Sequence, residues 1–272
     1  MKFLKLLSTI DRRIIYLAVG LVVIIPLVLK IKMPIRVSRE VETAYETIEN
    51  LPPGSVVLIS IDYDATSAPE LTPMFRSVLR HCFRKDLKVL YTGQLAIGLP
   101  LAQYDLDMVT KEMNAVYGVD YVNLGYRPGG VAVMLGMGRE IRDFFATDYK
   151  EVPIDSFPMM RTIHNYNDIA VIVSLAHGLS AEYWLQYVVS RFGIRMFAGV
   201  TGVVAPALYP YLQAGQLTGI IGGLQGAAEY ETLVGKAETG TFGMPAQSFA
   251  HLMILFFIIL GNVGYFVLRR RQ

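Results

Sequence analysis

Two long runs without a charged residue lie near the ends of the chain, and they limit its architecture more than any other feature. Residues 14–29 form an uncharged run of 16, and residues 249–268 form one of 20. A helix needs about 20 apolar residues, within a range of about 17–25, to cross the hydrocarbon core of a bilayer. Flanking lysines can snorkel and the bilayer can thin locally, so the shorter run also qualifies. The sequence therefore predicts transmembrane helices at 14–30 and 249–268.

The first run could instead belong to a cleaved signal peptide, because it follows four basic residues: Lys2, Lys5, Arg12 and Arg13. The segment KIKMPIR at residues 30–36 contains no small-x-small cleavage site. This absence favours an uncleaved anchor.

The basic residues beside each run predict the orientation of the chain in the membrane. Three arginines at 269–271 follow the second run, and Lys236 is the one basic residue in the twenty positions before it. We therefore expect cytoplasmic tails at 1–13 and 269–272. Basic residues between positions 30 and 39 favour the opposite orientation, but they border a long domain, and long domains cross largely regardless of charge. The domain at 55–245 is then periplasmic or extracellular, and the sequence does not distinguish these two places.

Charge and cysteine content exclude some classes of function. The net charge is +2. Because the domain carries mixed charges without a basic stripe, nucleic-acid binding has no support. Cys82 is the one cysteine. It lies on the apolar face of a predicted helix, which favours a buried thiol over a nucleophile.

Between the two runs, hydrophobic patterns of strand and helix type alternate. A helix at 38–50 is stopped by the Pro52-Pro53-Gly54 sequence and forms the centre of a predicted juxtamembrane neck at 31–54. Strands are predicted at 56–61, 87–91, 119–124, 169–175, 196–200 and 217–221, helices at 70–84, 100–117, 131–146, 180–192, 206–214 and 226–234, and an irregular segment at 148–167. Such alternation is typical of an α/β domain with a doubly wound, mostly parallel, Rossmann-like sheet.

Local signals refine this pattern. Ser67 and Glu70 have the spacing of a capping box for the helix at 70–84, and Gly118 is expected to end the helix at 100–117. The 33 residues at 196–228 contain no charge and could form a third membrane span or a re-entrant segment. Two prolines and several polar residues interrupt them, which favours a buried strand–helix–strand unit.

Ligands of open parallel sheets bind beyond the carboxyl ends of the strands. The residues that follow the predicted strands are polar or glycine, as in a ligand cleft. The candidate cleft residues are Asp62, Asp64, Thr92, Gln94, Asn123, Arg127, Ser174, His177, Thr201, Gly222 and Gly223.

Each charged candidate has a chemical and a structural interpretation. Asp62 and Asp64 share one face of an extended strand and could bind a hard cation or act as an acid–base pair. Alternatively, Asp64 caps the next helix and Asp62 pairs with a neighbour. Arg127 could bind a carboxylate or phosphate, or it could form a salt bridge to Asp62 or Asp64.

His177 follows a buried strand and could serve as a general base or a metal ligand. The nearest other histidine, His164, lies thirteen positions away, and the chain has no G-x-S-x-G motif around Ser180. Zinc and serine-hydrolase chemistry are therefore disfavoured, no metal is predicted and no cofactor is identified. We expect His81 and His251 to have packing or interface roles.

The glycine-rich stretch GQLTGIIGGLQGAAEYE at 215–231 could cradle a phosphate. Gly223 and Gly226 match the end of a G-x-G-x-x-G fingerprint, but Ile221 replaces its first glycine and no basic residue follows. Glu229 and Glu231 would repel a phosphate. The stretch therefore predicts a strand, a tight turn at Gly222-Gly223 and a closely packed helix.

Two classes of function are compatible with this sequence. The first is a membrane-anchored envelope protein that acts without catalysis in protein assembly or in small-ligand sensing. Its partners would be the bilayer and other proteins or further copies of itself, and the Gly261-x-x-Gly264 spacing suits helix association. The second is a hydrolase or transferase that acts on an anionic substrate at the membrane surface. It would require Asp62 or Asp64, Arg127 and His177 to surround one open pocket.

Overall fold

The structure of the protein is a computed structural model that describes residues 11–269, apart from the surroundings of residue 264 and the side chains at 267–269. Most of the predicted tails 1–13 and 269–272, and the surroundings of Gly264, lie outside what the structure describes. The chain divides into two compact units. One contains the described residues before Ile35 and after Gly240, and the other is Ile35–Gly240.

The first described element, α1, is Arg12–Val28. The carboxylate of Asp11 caps it by accepting a hydrogen bond of 2.9 Å from the backbone N–H of Arg13. The helix ends at Leu29, after which Lys30 has a φ of 47°. The predicted span at 14–30 is thus helical up to Val28.

The second unit contains a parallel sheet of six strands with helices on both sides. The strand order is β3-β2-β1-β4-β5-β6, so the Rossmann-like α/β prediction is confirmed. In chain order the elements are α2 Arg39–Glu49, β1 Val56–Asp62, α3 Ala68–Arg84, β2 Lys88–Gly93, α4 Gly98–Met113, β3 Tyr121–Tyr126, α5 Val131–Met137, β4 Val171–Ala176, α6 Ser180–Tyr183, a π-helical turn Trp184–Val189, α7 Ser190–Phe192, β5 Met196–Val200, α8 Ala205–Gln213, β6 Ile220–Gly222, α9 Gly223–Val234 and α10 Thr239–Arg269.

Two hydrophobic clusters cover the two faces of the sheet. Alternate residues of a strand point to opposite faces, so Ile59 and Ile61 of β1 join one cluster and Leu58 joins the other. Helices α2, α3, α4 and α9 contribute to the first cluster, and the segments from α5 to α8 contribute to the second. The neck helix α2 buries Val41, Ala44 and Ile48 and is therefore part of the layered domain.

Several boundaries differ from the predicted ones, each for a local reason. Helix α4 ends at Met113, before Gly118, because Asn114 adopts the left-handed conformation at φ 56°. Helix α5 stops at Met137, well before the predicted residue 146. A Cβ atom on Gly136 would lie 1.8 Å from the Phe144 ring, and the chain turns back there. The segment at 148–167 is irregular as expected and contains three short 3-10 turns.

Two local predictions around α3 and β6 are wrong. Ser67 makes no capping bond to α3, and the carboxylate of Glu70 instead accepts a hydrogen bond from the backbone N–H of Gly202 at 2.8 Å. The last strand is Ile220–Gly222, shorter and later than predicted, and it continues directly into α9 at Gly223 without a separate turn. Residues 196–228 form β5, α8, β6 and the start of α9, which agrees with the favoured interpretation.

Helix α10 is long and apolar enough to cross a membrane by length and composition. Its qualifying part is Thr239–Val263, 25 residues with a mean hydropathy of 1.8. Among the described residues no second helix meets both requirements. One of the two predicted membrane helices is therefore supported by length and composition, and the other is not. Helix α1 has 17 residues because the chain leaves the helix before Lys30.

Candidate functional site

The order of the strands determines where a ligand would meet the sheet. β1 and β4 are neighbours at its centre, and the chain continues from β1 toward one edge and from β4 toward the other. This is a topological switch point, where the loops diverge and leave a crevice beyond the carboxyl ends. Asp62, Asp64 and His177 lie here, while Asn123 and Arg127 lie two strands away at the end of β3.

Asp62 is the last residue of β1 and is completely buried. Its carboxylate accepts a hydrogen bond from the backbone N–H of Gln94 at 2.5 Å and another from the Ser60 hydroxyl at 2.8 Å. Burial nevertheless raises the pKa of Asp62 to about 6, because an ionised carboxylate loses its hydration there. The side chain thus fastens the loop after β2 to the end of β1.

A row of hydroxyl groups lies next to Asp62 inside the protein. Ser60, Thr92 and Ser174 are in register on three adjacent strands, and all three are completely buried. The hydroxyl of Thr92 donates to the carbonyl oxygen of Gly125 at 2.9 Å. In the described part of the chain, Ser174 Oγ has no hydrogen-bond partner. A polar layer therefore crosses an otherwise apolar interior.

The indole of Trp184, from the π-helical turn, completes the surroundings of Asp62. Its N–H lies near enough to the carboxyl to oppose the rise in pKa, yet it makes no hydrogen bond of normal geometry within the described residues. The amide oxygen of Gln94 is also buried without such a partner there. Sequence patterns gave no indication of Trp184, because it reaches Asp62 only through the position of its helix.

Asp64 and His177 form the exposed part of the switch point. One carboxylate oxygen of Asp64 accepts hydrogen bonds from the side chain and the backbone N–H of Thr66, and the bond from the Thr66 hydroxyl is the main reason that its pKa falls to about 2. The other oxygen lies 3.9 Å from His177 Nε2. The ring nitrogen Nδ1 of His177 lies 3.2 Å from the carbonyl oxygen of Asp62. Because a carbonyl oxygen only accepts, this contact is a hydrogen bond in the tautomer that carries a proton on Nδ1, while Nε2 faces the Asp64 carboxylate.

An open pocket of about 830 Å³ lies beyond the carboxyl ends of β2 and β3. The start of α4, the end of β3 and the loop around residue 148 form its walls. The residues that line it are Ala96, Leu99, Pro100, Gln103, Asn123, Gly125, Tyr126, Arg127, Thr147, Asp148, Tyr149 and Glu151. The irregular segment therefore borders this space and leaves it open.

A bulge at the end of β3 directs Arg127 to this pocket. The register between β2 and β3 shifts at Thr92, where Gly125 has a φ of 77° and donates its N–H to the Asn123 side chain at 2.9 Å. Bulges of this kind re-aim the side chains that follow them. A Cβ atom on Gly125 would approach the Tyr149 Cβ to 3.3 Å, so the position also needs a small residue.

Neutral oxygens hold the guanidinium of Arg127. Its Nε donates to the carbonyl oxygen of Phe144 at 3.2 Å, and its Nη2 donates to the carbonyl and hydroxyl oxygens of Thr147 at 3.3 and 3.1 Å. The group also lies 5.7 Å from the centre of the Phe145 ring. Within the described residues it forms no ion pair, with Asp62, Asp64 or any other carboxylate. Its position is fixed and its charge is not neutralised.

The remaining walls of the pocket combine amides, aromatic rings, apolar side chains and the carboxylates of Asp148 and Glu151. The Asn123 side chain donates to Gln103 Oε1 at 3.0 Å. Asp148 is buried and accepts bonds from the backbone N–H groups of Lys150 and Val152, each 2.8 Å, and from the Tyr117 hydroxyl. These bonds fix the loop that presents Tyr149.

The third part of the predicted cleft, beyond β5 and β6, is closed by packing. Gly223 has a φ of 62°, and a Cβ there would lie 3.1 Å from the Gly202 Cα and 3.2 Å from a Glu70 oxygen. Thr201 accepts the first hydrogen bonds of α8 through its carbonyl oxygen, and Gly222 ends β6. The Glu70 carboxylate would repel a phosphate at this place.

The candidate residues thus separate into four groups. Asp62, Asp64 and His177 meet at the switch point, and Asn123 and Arg127 meet in the pocket, of which Gln103, Thr147 and Tyr149 were not predicted. Thr92 and Ser174 lie in the buried hydroxyl row beside Asp62, and the backbone of Gln94 donates to the Asp62 carboxylate. Thr201, Gly222 and Gly223 lie at the ends of β5 and β6, outside both sites. Among the described residues, no group of three His, Cys, Asp or Glu side chains has the spacing of a metal site.

Comparison with known proteins adds no family to this description. No protein-family model matches the chain, and no curated protein matches it.

Proposed function

We propose that this protein is anchored in a membrane and that its α/β domain binds a small anionic ligand without transforming it. The observation that carries the proposal is the guanidinium of Arg127 at the wall of the open pocket. Three neutral acceptors orient it, and no described carboxylate neutralises it. Its Nη1 makes no described hydrogen bond and is available to a ligand.

The surroundings of Arg127 favour an anion of modest size that has a flat apolar part. A charged hydrogen bond contributes about 1.5–3 kcal/mol to stability when both partners are desolvated. Tyr126 and Tyr149 provide ring surface beside it, and the Gln103–Asn123 amide pair provides polar contacts. Pockets with mostly apolar walls and a few fixed polar groups are typical of small-molecule sites.

The absence of catalysis in this proposal rests on the separation of the charged candidates. The lining of the pocket includes Arg127 but not Asp62, Asp64 or His177. Asp62 and Asp64 also use their carboxylates for other bonds, to the loop after β2 and to the start of α3. An acid–base pair directed at the pocket is therefore not part of the proposal.

The proposed anchoring consists of two membrane-spanning helices, with both tails of the chain in the cytoplasm. Helix α10 supports one span by its length and hydropathy. Helix α1 supports the other because its side chains Val22, Ile25 and Pro26 line an apolar groove together with α10. The arginines at 269–271 and the basic N-terminus favour the cytoplasmic side for both tails, and hence a periplasmic or extracellular domain.

Protein assembly is the second non-catalytic role, and exposed aliphatic residues favour it. The loops after β2, β4 and β5 each expose one, namely Ile97 (65 %), Leu179 (55 %) and Val203 (90 %). All three lie beyond the carboxyl ends of the strands, where a protein partner or a second copy would cover them.

The catalytic alternative is a hydrolase or transferase at the switch point. It is favoured by the Asp64–His177 pair, whose side chains are 34 % and 35 % exposed. In the tautomer that carries a proton on Nδ1, His177 Nε2 could accept a proton from water or from a substrate hydroxyl.

Ligand binding by full-length protein in detergent tests the proposal. We would measure unfolding with and without phosphate, benzoate and citrate, using the fluorescence of Trp184, the one tryptophan. An anion at 100 times its Kd stabilises the folded state by about 2.7 kcal/mol. We expect at least one anion to stabilise the wild type and to have no effect on Arg127→Gln.

The matched control is Arg161→Gln, which removes an exposed arginine that lines neither site. It should respond as the wild type does. An equal response of Arg127→Gln, or no response of the wild type to any of the three anions, would refute the anion site. Chemical conversion of the bound anion that is abolished by His177→Gln would favour the enzyme alternative.

A further inference from the structure

The first unit contains an apolar groove of about 530 Å³ between α1 and α10. Eight apolar side chains line it, among them Pro26 and Ile31 from the N-terminal part and Phe249 and Phe256 from α10. Neither helix contains an aspartate or a glutamate. Among the described residues, the side chains that line the groove are all apolar.

Proline produces the wall of this groove. Pro26 has no N–H and is the one described residue of α1 that is buried. After the helix ends, the backbone N–H of Ile31 donates to the carbonyl oxygen of Pro26 at 3.0 Å. This bond brings Ile31 to the end of the groove.

Two lysines flank Ile31 and supply positive charge at the same end. The ammonium groups of Lys30 and Lys32 lie 5.9 and 5.6 Å from the centre of one ring, that of Phe242. Among the described residues neither lysine has a carboxylate within ion-pair distance. Two like charges are held near one aromatic ring, with no carboxylate of the described chain beside them.

We propose that this groove and its two lysines form a binding site for an anionic phospholipid. One acyl chain lies along the groove, and the phosphate lies between Lys30 and Lys32. The site rests on the membrane anchoring of the proposed function, and it is independent of the Arg127 pocket.

The two lysines decide between a lipid and another protein copy as the occupant. A second copy could bring α1 or α10 to the groove, but these helices carry no acidic residue that would neutralise Lys30 and Lys32. A phosphatidylglycerol molecule supplies both the chain and the negative charge. Each basic residue near an anionic headgroup strengthens binding about fivefold.

Native mass spectrometry of the full-length protein tests this site. The protein would be released from detergent in the presence of equal amounts of phosphatidylglycerol and phosphatidylcholine with the same chains. We expect retained phosphatidylglycerol to exceed phosphatidylcholine in the wild type. The Lys30→Gln/Lys32→Gln variant should lose about 25-fold of this preference.

Two further variants test whether the lipid preference depends on these two lysines and on the groove, or on the net charge of the protein alone. Lys88→Gln/Lys111→Gln lowers the net charge equally but alters lysines of the α/β domain, and it should keep the preference. Met253→Trp fills the groove and should reduce the retention of both lipids. Equal retention of both lipids by the wild type, or unchanged preference in the Lys30/Lys32 variant, would overturn the site, as would lipid-free dimers.

An alkaline carbonate wash of membranes distinguishes failure of this inference from failure of the anchoring. Protein that stays in the membrane but has no lipid preference contradicts the lipid site alone. Protein that the wash releases contradicts both the anchoring and the lipid site, while binding at Arg127 can still be measured.

Discussion

The switch point and the β2–β3 pocket lie on the same edge of the sheet and use a charged residue in opposite ways. Asp62 is buried, and its carboxylate accepts hydrogen bonds from Ser60 of the same strand and from the backbone of Gln94 in the loop after β2. Arg127 is also held by hydrogen bonds, but its acceptors are neutral and its pocket is open. A charged residue after a strand thus supports the fold when its surroundings exclude solvent. It offers a ligand site when its charge remains accessible.

The largest expected effect concerns Asp62. Since its pKa is raised from 3.8 to about 6, the protonated form stabilises the folded state below pH 3.8, and this contribution is lost as the pH rises to about 6. The change corresponds to at most about 3 kcal/mol. Asp62→Asn keeps an acceptor for Gln94 and does not ionise, so it should be more stable than the wild type at pH 7.5 and similar at pH 4. Urea unfolding followed by Trp184 fluorescence measures both.

If Asp62→Asn is less stable than the wild type at pH 7.5, the carboxylate is ionised and favourable there. The conclusion that loss of hydration makes the ionised Asp62 carboxylate unfavourable in the folded protein would then be wrong. Asp64→Asn is the matched control, because the pKa of Asp64 is lowered to about 2 and its titration lies below this pH interval.

His81, on the other face of the sheet, has the opposite linkage and must be separated from Asp62. It is buried between the Tyr230 hydroxyl and the Glu49 carboxylate, each 2.8 Å away, and burial lowers its pKa from 6.5 to about 4. Its contribution is present above pH 6.5 and is lost as the pH falls to about 4, by about 3 kcal/mol. His81→Gln should abolish this loss on acidification, although it weakens the fold at pH 7.

The combined variant sharpens the comparison. In Asp62→Asn the stability should fall steadily from pH 6.5 to 4, because the compensating titration is gone. The pH profile of Asp62→Asn/His81→Gln should be flatter over this interval than that of Asp62→Asn, and an equal slope in the two variants would show that His81 is not the group that titrates.

A smaller effect is expected when Arg127 is replaced by lysine. Lysine keeps the positive charge but cannot donate to Phe144 and Thr147 in the fixed fork of a guanidinium. We expect the affinity for an anion to fall about tenfold, between the wild type and Arg127→Gln. Isothermal titration with the anion that binds best provides the measurement. Affinity equal to that of the wild type would show that orientation is unimportant in the pocket.

The smallest effect concerns the unpartnered hydroxyl of Ser174. Ser174→Ala removes a buried oxygen that has no described partner and should raise the free energy of unfolding by about 1 kcal/mol. Thermal unfolding of the two proteins at pH 7.5 would detect the change. A loss of stability would instead indicate that a water molecule links Ser174 to its polar neighbours.

The alternation of strands and helices was sufficient to predict the layered fold, because β-branched runs and helical periodicity are local properties. The strand ends also followed from the sequence, so Asp62, Asn123 and Arg127 were expected at one edge. The ends of the helices were harder to predict from the sequence. Asn114 ends α4 through its left-handed backbone conformation, and the packing of Phe144 on Gly136 ends the expected long helix.

The division of the edge into separate sites could not be predicted. It depends on the strand order, which places β2 between β3 and β1, and on a bulge whose effect on Arg127 appears only in the paired strands. The irregular segment that supplies Tyr149 and Thr147 has no periodicity, so its contacts follow from tertiary packing alone. Whether a carboxylate such as Asp62 is buried likewise depends on distant residues, here Trp184.

Helix α9 has a further consequence for how the second unit is connected. The buried Glu229 accepts hydrogen bonds from the backbone N–H and the hydroxyl of Ser38, at 2.9 and 2.5 Å. Glu231 accepts the backbone N–H groups of Glu238 and Gly240, each at 2.9 Å. The incoming and outgoing chains are therefore clamped to the same helix, two residues apart. Because its two ends lie close together, residues 35–240 should fold when they are expressed alone. They should also fold when they are inserted into a loop of another protein, because neither change disrupts the six-stranded sheet.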